Sequence, residues 1–256
     1  MNYDKIKFEA AETRKILGIG PYDRVDIFRV LRDIENISLI ITKIRGNISG
    51  FFMRYKNTGL IVINASRSLG HQYFTAAHEY YHLKYDKGMS AKVCPINKFD
   101  DEYQNERDAN LFAAQLLVPD EALGYMIQKR TKGRSLTLND VIFLENYFQV
   151  SHKLMLLRLR EIGAITSKQV EAMEKNIIKN AALLGYNTEL YRNTEDKGTQ
   201  IYSEYAELAR TLLETGKITY GKYEELLLDG GYGDILFGEN EDLEGTENAF
   251  KDANSI

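Results

Sequence analysis

Cysteine is scarce in this sequence of 256 residues, which contains only Cys94. One cysteine cannot form a disulfide within the chain, which excludes a disulfide-stapled secreted domain and favours a reducing compartment. The N-terminal residues also lack the continuous apolar segment that a signal peptide needs. We therefore expect a cytoplasmic protein.

Long apolar runs are missing as well. The apolar runs around residues 39–41 and 60–63 are three and four residues long, whereas a helix needs about 20 consecutive apolar residues to cross a bilayer. There is no excess of basic charge, because 33 lysine and arginine residues face 37 aspartate and glutamate residues, for a net charge of -4. That balance argues against general binding to nucleic acid or to anionic membranes. The proportions of hydrophobic residues (44%) and charged residues (27%) are those of an average soluble globular protein.

Three short segments rich in Ile, Val and Phe predict β-strands, because turn-forming residues such as Gly46 and Asn47 separate them. These segments are residues 37–44, 48–54 and 59–64. Short connections between consecutive strands favour a three-stranded antiparallel sheet. Apolar residues at three- and four-residue spacing then predict one helix from about His71 to Tyr85 and another from about Glu106 to Leu117. The expected fold class is α+β, with a small sheet flanked by these two helices.

The second half of the chain has helical character. Thr137 has the surroundings of a capping box, Ser151 can cap the next helix, and Gly163 lies where that helix should end. This pattern predicts a helix-turn-helix-like unit. Residues 186–199 are polar and predict a linker, and residues 239–256 predict a frayed acidic tail after the last helices.

The motif with the clearest chemistry consists of His78, Glu79 and His82. Residues four apart lie on one helical face, so both imidazoles can bind one metal ion while Glu79 flanks it. Catalytic zinc takes three protein ligands and lowers the pKa of a bound water to about 7, and a nearby base must accept the proton. We therefore predict one Zn²⁺ ion bound by His78 and His82, with Glu79 as the general base. A hydrogen-bonded pair of buried histidines without a metal is the alternative.

The third zinc ligand is expected on the second helix. Glu106 would complete a set of two histidines and one glutamate, which is a known catalytic zinc combination. Asn110 lies one turn further on the same face and can hydrogen-bond the outer nitrogen of a ligand histidine. Asp108 points away from this face in a regular helix and is the weaker alternative ligand. Glu106 could also be an ordinary acidic residue in a first helical turn, where the helix dipole favours it.

Two blocks of sequence, residues 74–82 (FTAAHEYYH) and residues 106–119 (ERDANLFAAQLLVP), resemble the ImmA/IrrE family of bacterial metallopeptidases. The resemblance is specific from about residue 37 to residue 163. It implies a gluzincin-like core in which the residues matching His78, His82 and Glu106 bind zinc and the one matching Glu79 is the base. Characterised members of the family cut helix-turn-helix repressors, which implies a protein substrate of that kind.

One residue departs from the family pattern. Family motifs often have a small residue just before the second histidine, where this chain has Tyr81. That tyrosine is expected either to pack against the sheet or to narrow the cleft. The expected division of the chain is a metallopeptidase core, a helix-turn-helix-like unit and a helical region with the acidic tail, over residues 1–133, 134–165 and 166–256.

Several other functions stay open at this point. The locally basic stretch over residues 129–160 makes direct DNA binding an alternative, although leucines leave few polar positions on the would-be recognition helix. A non-catalytic regulatory or toxin-antitoxin module that binds a repressor or DNA is the rival function. His71 is expected to be a solvated residue at the start of its helix. His152 could stabilise an oxyanion, and Cys94 could bind zinc as an inhibitory thiolate, but a role without direct chemistry is favoured for both residues.

Overall fold

The computed structural model describes residues 3–55, 58–86, 91–95 and 104–230. Contacts divide the chain into unit 1 (Met1–Tyr202) and unit 2 (Ser203–Ile256). The expected three-part division stays a prediction. No helix in the described ranges is both long and apolar enough to cross a lipid bilayer.

Unit 1 contains one mixed sheet with an α+β arrangement. Its strands are β1 (Ser38–Thr42), β2 (Ile48–Tyr55), β3 (Thr58–Asn64), β4 (Ala91–Pro95) and β5 (Gln200–Tyr202). The strand order is β4-β2-β3-β1-β5. β1 runs parallel to β3, whereas the other neighbouring pairs are antiparallel. The prediction of a three-stranded antiparallel sheet is therefore wrong in strand number and in the partner of β1. β4 lies between the two predicted motif helices, where we predicted no strand.

Asn64, at the end of β3, explains why β1 does not pair with β2. Its fully buried side chain donates hydrogen bonds to the carbonyl oxygens of Ile44 (3.1 Å) and Ile48 (2.7 Å), and its Oδ1 accepts one from the Ile44 amide (3.1 Å). These hydrogen bonds hold the connector between β1 and β2 across the end of β3. β1 and β2 therefore lie on opposite sides of β3. Strand pairs formed through such a crossover cannot be recognised from adjacency in the sequence.

Helices surround the sheet, and several of them begin or end close to their predicted positions. In unit 1 the helices before the metal motif are α1 (Tyr3–Ile16) and α2 (Ile27–Arg29), which continues as a π-helical turn (Val30–Ile34). The helices that carry the motif residues are α3 (Leu69–Tyr85) and α4 (Gln104–Leu117). The later helices are α5 (Asp120–Thr131), α6 (Leu138–Phe148), α7 (His152–Glu161), α8 (Ser167–Met173) and α9 (Ile177–Leu183).

α3 lies directly against the sheet because Gly50 has no side chain. A Cβ at this position of β2 would lie 2.7 Å from Thr75 Cγ2 on α3 and 2.7 Å from the carbonyl oxygen of Val62 on β3. Gly70 allows a second close approach at the start of α3, because a Cβ there would lie 2.6 Å from the Ser151 amide nitrogen. These two close approaches fix α3 between β2 on one side and the start of α7 on the other. α4 in turn packs against both α1 and α3.

α6 and α7 have the helix caps that the sequence predicts. Thr137 forms a capping box, the Ser151 side chain accepts a hydrogen bond from the Leu154 amide, and Gly163 has a φ of 72° after α7. Much of α7 is buried, including His152 and the fully enclosed Arg158. The guanidinium of Arg158 donates a hydrogen bond to the Val118 carbonyl and forms ion pairs with Asp120 and Glu161. The helices exist, but a helix-turn-helix function for them stays a prediction.

The predicted linker over residues 186–199 is instead packed into unit 1. Leu190 and Thr194 are buried, and the Gln72 side chain on α3 donates a hydrogen bond to the Thr194 hydroxyl (3.0 Å). Two short 3-10 helices, Glu189–Tyr191 and Glu195–Lys197, precede β5. The polar composition predicted a solvated connection, but the hydroxyl and the amide of Thr194 bond to Gln72 and to the Ala65 carbonyl in the body of unit 1. This prediction is wrong.

The described part of unit 2 contains two helices, within the C-terminal region that was predicted to be helical. They are α10 (Tyr205–Glu214) and α11 (Tyr220–Asp229), and the Thr219 side chain caps α11 by accepting a hydrogen bond from the Lys222 amide. The predicted acidic tail over residues 239–256 lies outside the described residues.

Candidate metal centre

α3 places two imidazoles one helical turn apart on the same face. The Nε2 atoms of His78 and His82 are 3.1 Å apart, and the side chains are almost fully buried. Apolar packing by the sheet holds this face of the helix, since the His82 ring stacks on Phe52 of β2 with 5.7 Å between ring centroids and an interplanar angle of 15°. The spacing of four residues therefore gives the convergent pair that the motif predicts.

Glu106 on α4 completes a group of three donor atoms. Its Oε2 lies 3.3 Å from His78 Nε2, and its Oε1 lies 3.4 Å from His82 Nε2. Among the described residues these three buried side chains form a set that could hold a metal ion. Tetrahedral zinc with bond lengths of about 2.0–2.1 Å requires its donor atoms to be about 3.3 Å apart. The Nε2–Nε2 separation of 3.1 Å is close to that value, and so are the contacts of 3.3 and 3.4 Å, in which each histidine faces a different oxygen of Glu106.

The outer nitrogen of each histidine is held by an oxygen atom. His78 Nδ1 lies 2.9 Å from Asn110 Oδ1 on α4, and His82 Nδ1 lies 2.6 Å from Asp86 Oδ2 just after α3. An oxygen partner requires the proton to be on Nδ1, so the Nε2 lone pairs point toward Glu106 and toward each other. The Asn110 contact was expected from the sequence. Asp86 was missed, although its position four residues after His82 places it on the same helical face.

The charges at the site favour a cation. Burial lowers the pKa of His78, but the hydrogen bond to Glu106 and the negative charges of Glu79 and Glu106 outweigh it and leave that pKa raised. Burial and the neighbouring charge of His78 lower the pKa of His82 to about 4, against an opposing hydrogen bond to Asp86. The carboxylates thus stabilise one positive charge on the histidine pair. Burial and repulsion between the two imidazoles disfavour a second positive charge. A divalent cation can take the place of the stabilised charge.

Glu79 is fully buried next to the two histidines on α3. Its negative charge acts on His78, as the pKa of that histidine indicates. It does not belong to the group of three donors. A carboxylate beside a metal group, but outside it, is suited to accept and release a proton.

Tyr81 packs between the two motif helices. Its ring lies 5.2 Å from that of Phe112 on α4 and 5.0 Å from that of Tyr85, measured between centroids, and it is 6% exposed. It also contacts the His82 ring edge-to-face at 5.8 Å. The large residue at this position therefore fills the space between α3 and α4 and supports His82 from behind.

Arg54 on β2 ties the end of α3 to the sheet and was not predicted from the sequence. Its guanidinium donates hydrogen bonds to the carbonyl oxygens of His82 and Asp86, at 3.2 and 3.0 Å, and to that of Leu83. The last carbonyls of a helix lack partners in a following turn, and here the His82 carbonyl accepts from the Asp86 amide (3.1 Å) as well as from Arg54. Arg54 thus fixes the turn of α3 that carries His82 and Asp86. No local pattern in the sequence reveals such a long-range cap.

The residues considered as alternatives lie elsewhere. Asp108 is outside the donor group and accepts a hydrogen bond from Gln104 (2.7 Å). His152 uses both ring nitrogens, with Nδ1 2.6 Å from Glu145 Oε1 and Nε2 3.0 Å from the Met173 carbonyl oxygen. That arrangement gives His152 a structural role. The side chain of Cys94 lies outside the described residues.

His71 is not the solvated residue that was expected. Its Nε2 lies 3.0 Å from the Ser49 hydroxyl oxygen on β2, because the close approach at Gly50 brings β2 against the start of α3. Burial and the positive charges of Arg67 and Lys153 lower the pKa of His71 to about 4, so the imidazole is neutral at pH 7.

Comparison with known proteins identifies one matching segment. Residues 36–160 match the peptidase M78 family, described as the IrrE N-terminal-like domain. This segment contains four strands of the sheet, both motif helices, and α5 to most of α7. No curated protein matches the sequence.

Proposed function

The chain belongs over residues 36–160 to the ImmA/IrrE family of peptidases, and on that premise we propose that it is a zinc-dependent endopeptidase of the cytoplasm. In this proposal His78, His82 and Glu106 hold one Zn²⁺ ion, and Glu79 is the general base. The observation that carries the proposal is the close grouping of these three buried side chains, in which the two histidine Nε2 atoms are 3.1 Å apart and each lies 3.3–3.4 Å from one of the two Glu106 carboxylate oxygens. Its dimensions suit tetrahedral zinc with a fourth position left for the reaction.

Bound zinc would supply Lewis acidity, which lowers the pKa of water and polarises a carbonyl group. The remaining steps belong to residues of this chain. Glu79 would accept a proton from the attacking water and deliver it to the nitrogen of the leaving amine. Burial of Glu79 keeps bulk water from competing for that proton. Asn110 and Asp86 hold the two imidazoles in the tautomer that leaves Nε2 free to bind the ion.

An extended polypeptide is the substrate that suits the sheet. β4 ends the strand order on the side of β2, so its outer edge has no strand partner among the described residues. An extended peptide can add to such an edge through backbone hydrogen bonds. A helix-turn-helix repressor is the substrate we propose, and this choice rests on the family resemblance.

The test measures zinc content and cleavage together. Wild-type protein should bind one zinc ion per chain, and Glu79→Gln should keep the zinc while its kcat falls by about 10²–10⁴-fold, as is typical for loss of a general base. Asp108→Asn, which changes a carboxylate on α4 outside the donor group, is the matched control and should keep wild-type activity. The assay substrate is a helix-turn-helix repressor, the class of protein proposed above. A wild-type chain without zinc, or undiminished cleavage by Glu79→Gln, contradicts the mechanism.

The rival function, a regulatory or toxin-antitoxin module that binds DNA or a repressor without cutting it, lacks a supporting observation. Most residues of α7 are buried, which leaves few polar positions for reading bases, and the charge of Arg158 is used in ion pairs inside unit 1. Among the described residues the group supplies three donors, and a fourth coordination position taken by water favours catalysis over a purely structural zinc site.

A further inference from the structure

A cavity of about 550 Å³ opens beside the candidate metal centre, in the size range of ligand pockets. Its walls come from the first turns of α3 and from α7, α8 and α9. Most of its lining is apolar, and the main apolar side chains are Phe74, Leu154, Leu156, Leu157, Val170 and Ile177. We call this space the α7–α9 pocket.

The α7–α9 pocket and the metal centre share one face of α3. His71 and Phe74 line the pocket, and they precede His78 by seven and four residues, which are spacings of one helical face. The Phe74 ring stands between the two sites, with its centroid 6.4 Å from that of His78. With a rise of 1.5 Å per residue, the pocket begins about 6–10 Å along α3 from the first histidine of the motif. An extended peptide covers that distance in two or three residues.

The mouth of the pocket is positively charged. Lys153 and Arg160 on α7 are exposed there, facing a single acidic side chain, Glu174. Arg67 is also close to His71, since its positive charge, like that of Lys153, lowers the pKa of His71. Arg160 has no ion-pair partner in the part of the chain that the structure describes. An apolar interior with a cationic rim is complementary to an apolar side chain that has a carboxylate next to it.

We propose that the α7–α9 pocket is a specificity subsite, which binds a large apolar side chain of the substrate two or three residues from the scissile bond, adjacent to an acidic residue that pairs with Arg160. This inference rests on the proposed peptidase function. Val170 and Ile177 lie beyond residue 160, outside the segment that matches the family. Part of the pocket wall thus lies outside the segment that matches the family, which is where we expect selectivity for an individual substrate.

The first experiment profiles cleavage of a randomised decapeptide library by the full, zinc-loaded chain, with products read by mass spectrometry. Peptides with Leu, Ile or Phe two or three residues from the cut should have a kcat/KM at least about tenfold above those with Ala, because a few methylenes in an apolar pocket discriminate on that scale. Asp or Glu should be enriched next to the apolar residue. Cleavage with no preference at these positions overturns the proposal and leaves the peptidase function intact.

Two variants locate the preference in the pocket. Val170→Trp fills the pocket and should abolish the preference for a large apolar side chain. Arg160→Glu should lower the kcat/KM for acidic peptides by about fivefold and favour a lysine at the same position, by charge complementarity. Lys168→Glu is the control, because this exposed lysine on α8 undergoes the same change of charge outside the pocket. If Val170→Trp fails to fold, Arg160→Glu decides the matter, because its side chain is on the surface.

A binding measurement separates this proposal from the proposed function. Fluorescein-labelled decapeptides with a Leu-Glu, Ala-Glu or Leu-Lys pair in a Gly/Ser background are titrated with the Glu79→Gln chain, and anisotropy gives the Kd. Leu-Glu should bind at least about fivefold tighter than the other two, and Val170→Trp should remove the difference. Such binding, together with no cleavage of the peptide library or of a repressor by the zinc-loaded wild-type chain, supports the pocket and refutes the peptidase function. Equal or absent binding of the three peptides refutes the pocket.

Discussion

Asp86 provides the sharpest test of how the site is held. Its carboxylate lies 2.6 Å from His82 Nδ1, and the two side chains are only 11% and 0% exposed. A buried carboxylate in this position fixes the ring orientation and raises the basicity of the opposite nitrogen, and loss of such partners typically weakens metal binding 10–100-fold. Because the contact is short and shielded from water, we expect Asp86→Ala to raise the zinc Kd by about 30–100-fold, or about 2–2.7 kcal/mol.

The backbone around Asp86 should survive this substitution. Its amide donates to the His82 carbonyl (3.1 Å) and its carbonyl accepts from Arg54 (3.0 Å), and both contacts are independent of the side chain. Asp86→Asn keeps an oxygen acceptor for Nδ1 but loses the charge, so its effect should be smaller, about threefold to tenfold. Thermal unfolding of the metal-free proteins should therefore be similar for all three chains.

Zinc Kd values are measured by competition with a chromophoric chelator at constant pH. Asp108→Ala is the control, because this partly exposed carboxylate bonds Gln104 and lies outside the donor group. A Kd for Asp86→Ala within a factor of two of the wild-type value would refute the reasoning. So would a loss of stability of the metal-free chain large enough to account for the weaker binding.

Two further predictions concern the scaffold. Gly50→Ala should lower the free energy of unfolding by about 1–3 kcal/mol in urea titrations, because its Cβ would lie 2.7 Å from atoms of α3 and β3. Gly124→Ala in α5, where a Cβ meets nothing within 4 Å, should be neutral or stabilising. Burial raises the pKa of Asp120, but hydrogen bonds from Lys7 and Arg158 outweigh it and lower that pKa to about 2. This carboxylate therefore adds stability above its unfolded pKa of 3.8, and that stability is lost as the pH falls toward 2. Unfolding titrations between pH 5 and pH 2 should have a shallower pH dependence for Asp120→Asn, and an unchanged slope would contradict this role.

Local patterns in the sequence were enough to predict the elements that bring the donor atoms together. The spacing of His78 and His82 converges on one helical face because helix geometry is set within a single turn. Glu106 could be chosen over Asp108 by the same periodicity. The residues that hold these elements in place, Arg54 and Asn64, act on segments distant in the sequence. Such contacts follow from the crossing of the chain and leave no periodic pattern.

The same distinction explains the errors in the fold. Residues 186–199 resemble a linker by composition, yet the Gln72 amide and the Ala65 carbonyl satisfy Thr194 inside unit 1. This contact brings the chain back to the edge of β1, where the next residues pair with β1 as β5. Composition predicts solvation only when no distant partner is available, and a single sequence does not reveal that partner.

The position of α3 connects the general chemistry of the site with its selectivity. One face of this helix carries His71 and Phe74 at the α7–α9 pocket and the two motif histidines further along. Gly50 and Gly70 bring β2 and the start of α7 within contact of the same helix. α8 and α9 line the pocket and supply none of the three donor residues, which lie on α3 and α4. Substitutions on α8 and α9 can therefore change substrate preference while the metal centre keeps its geometry.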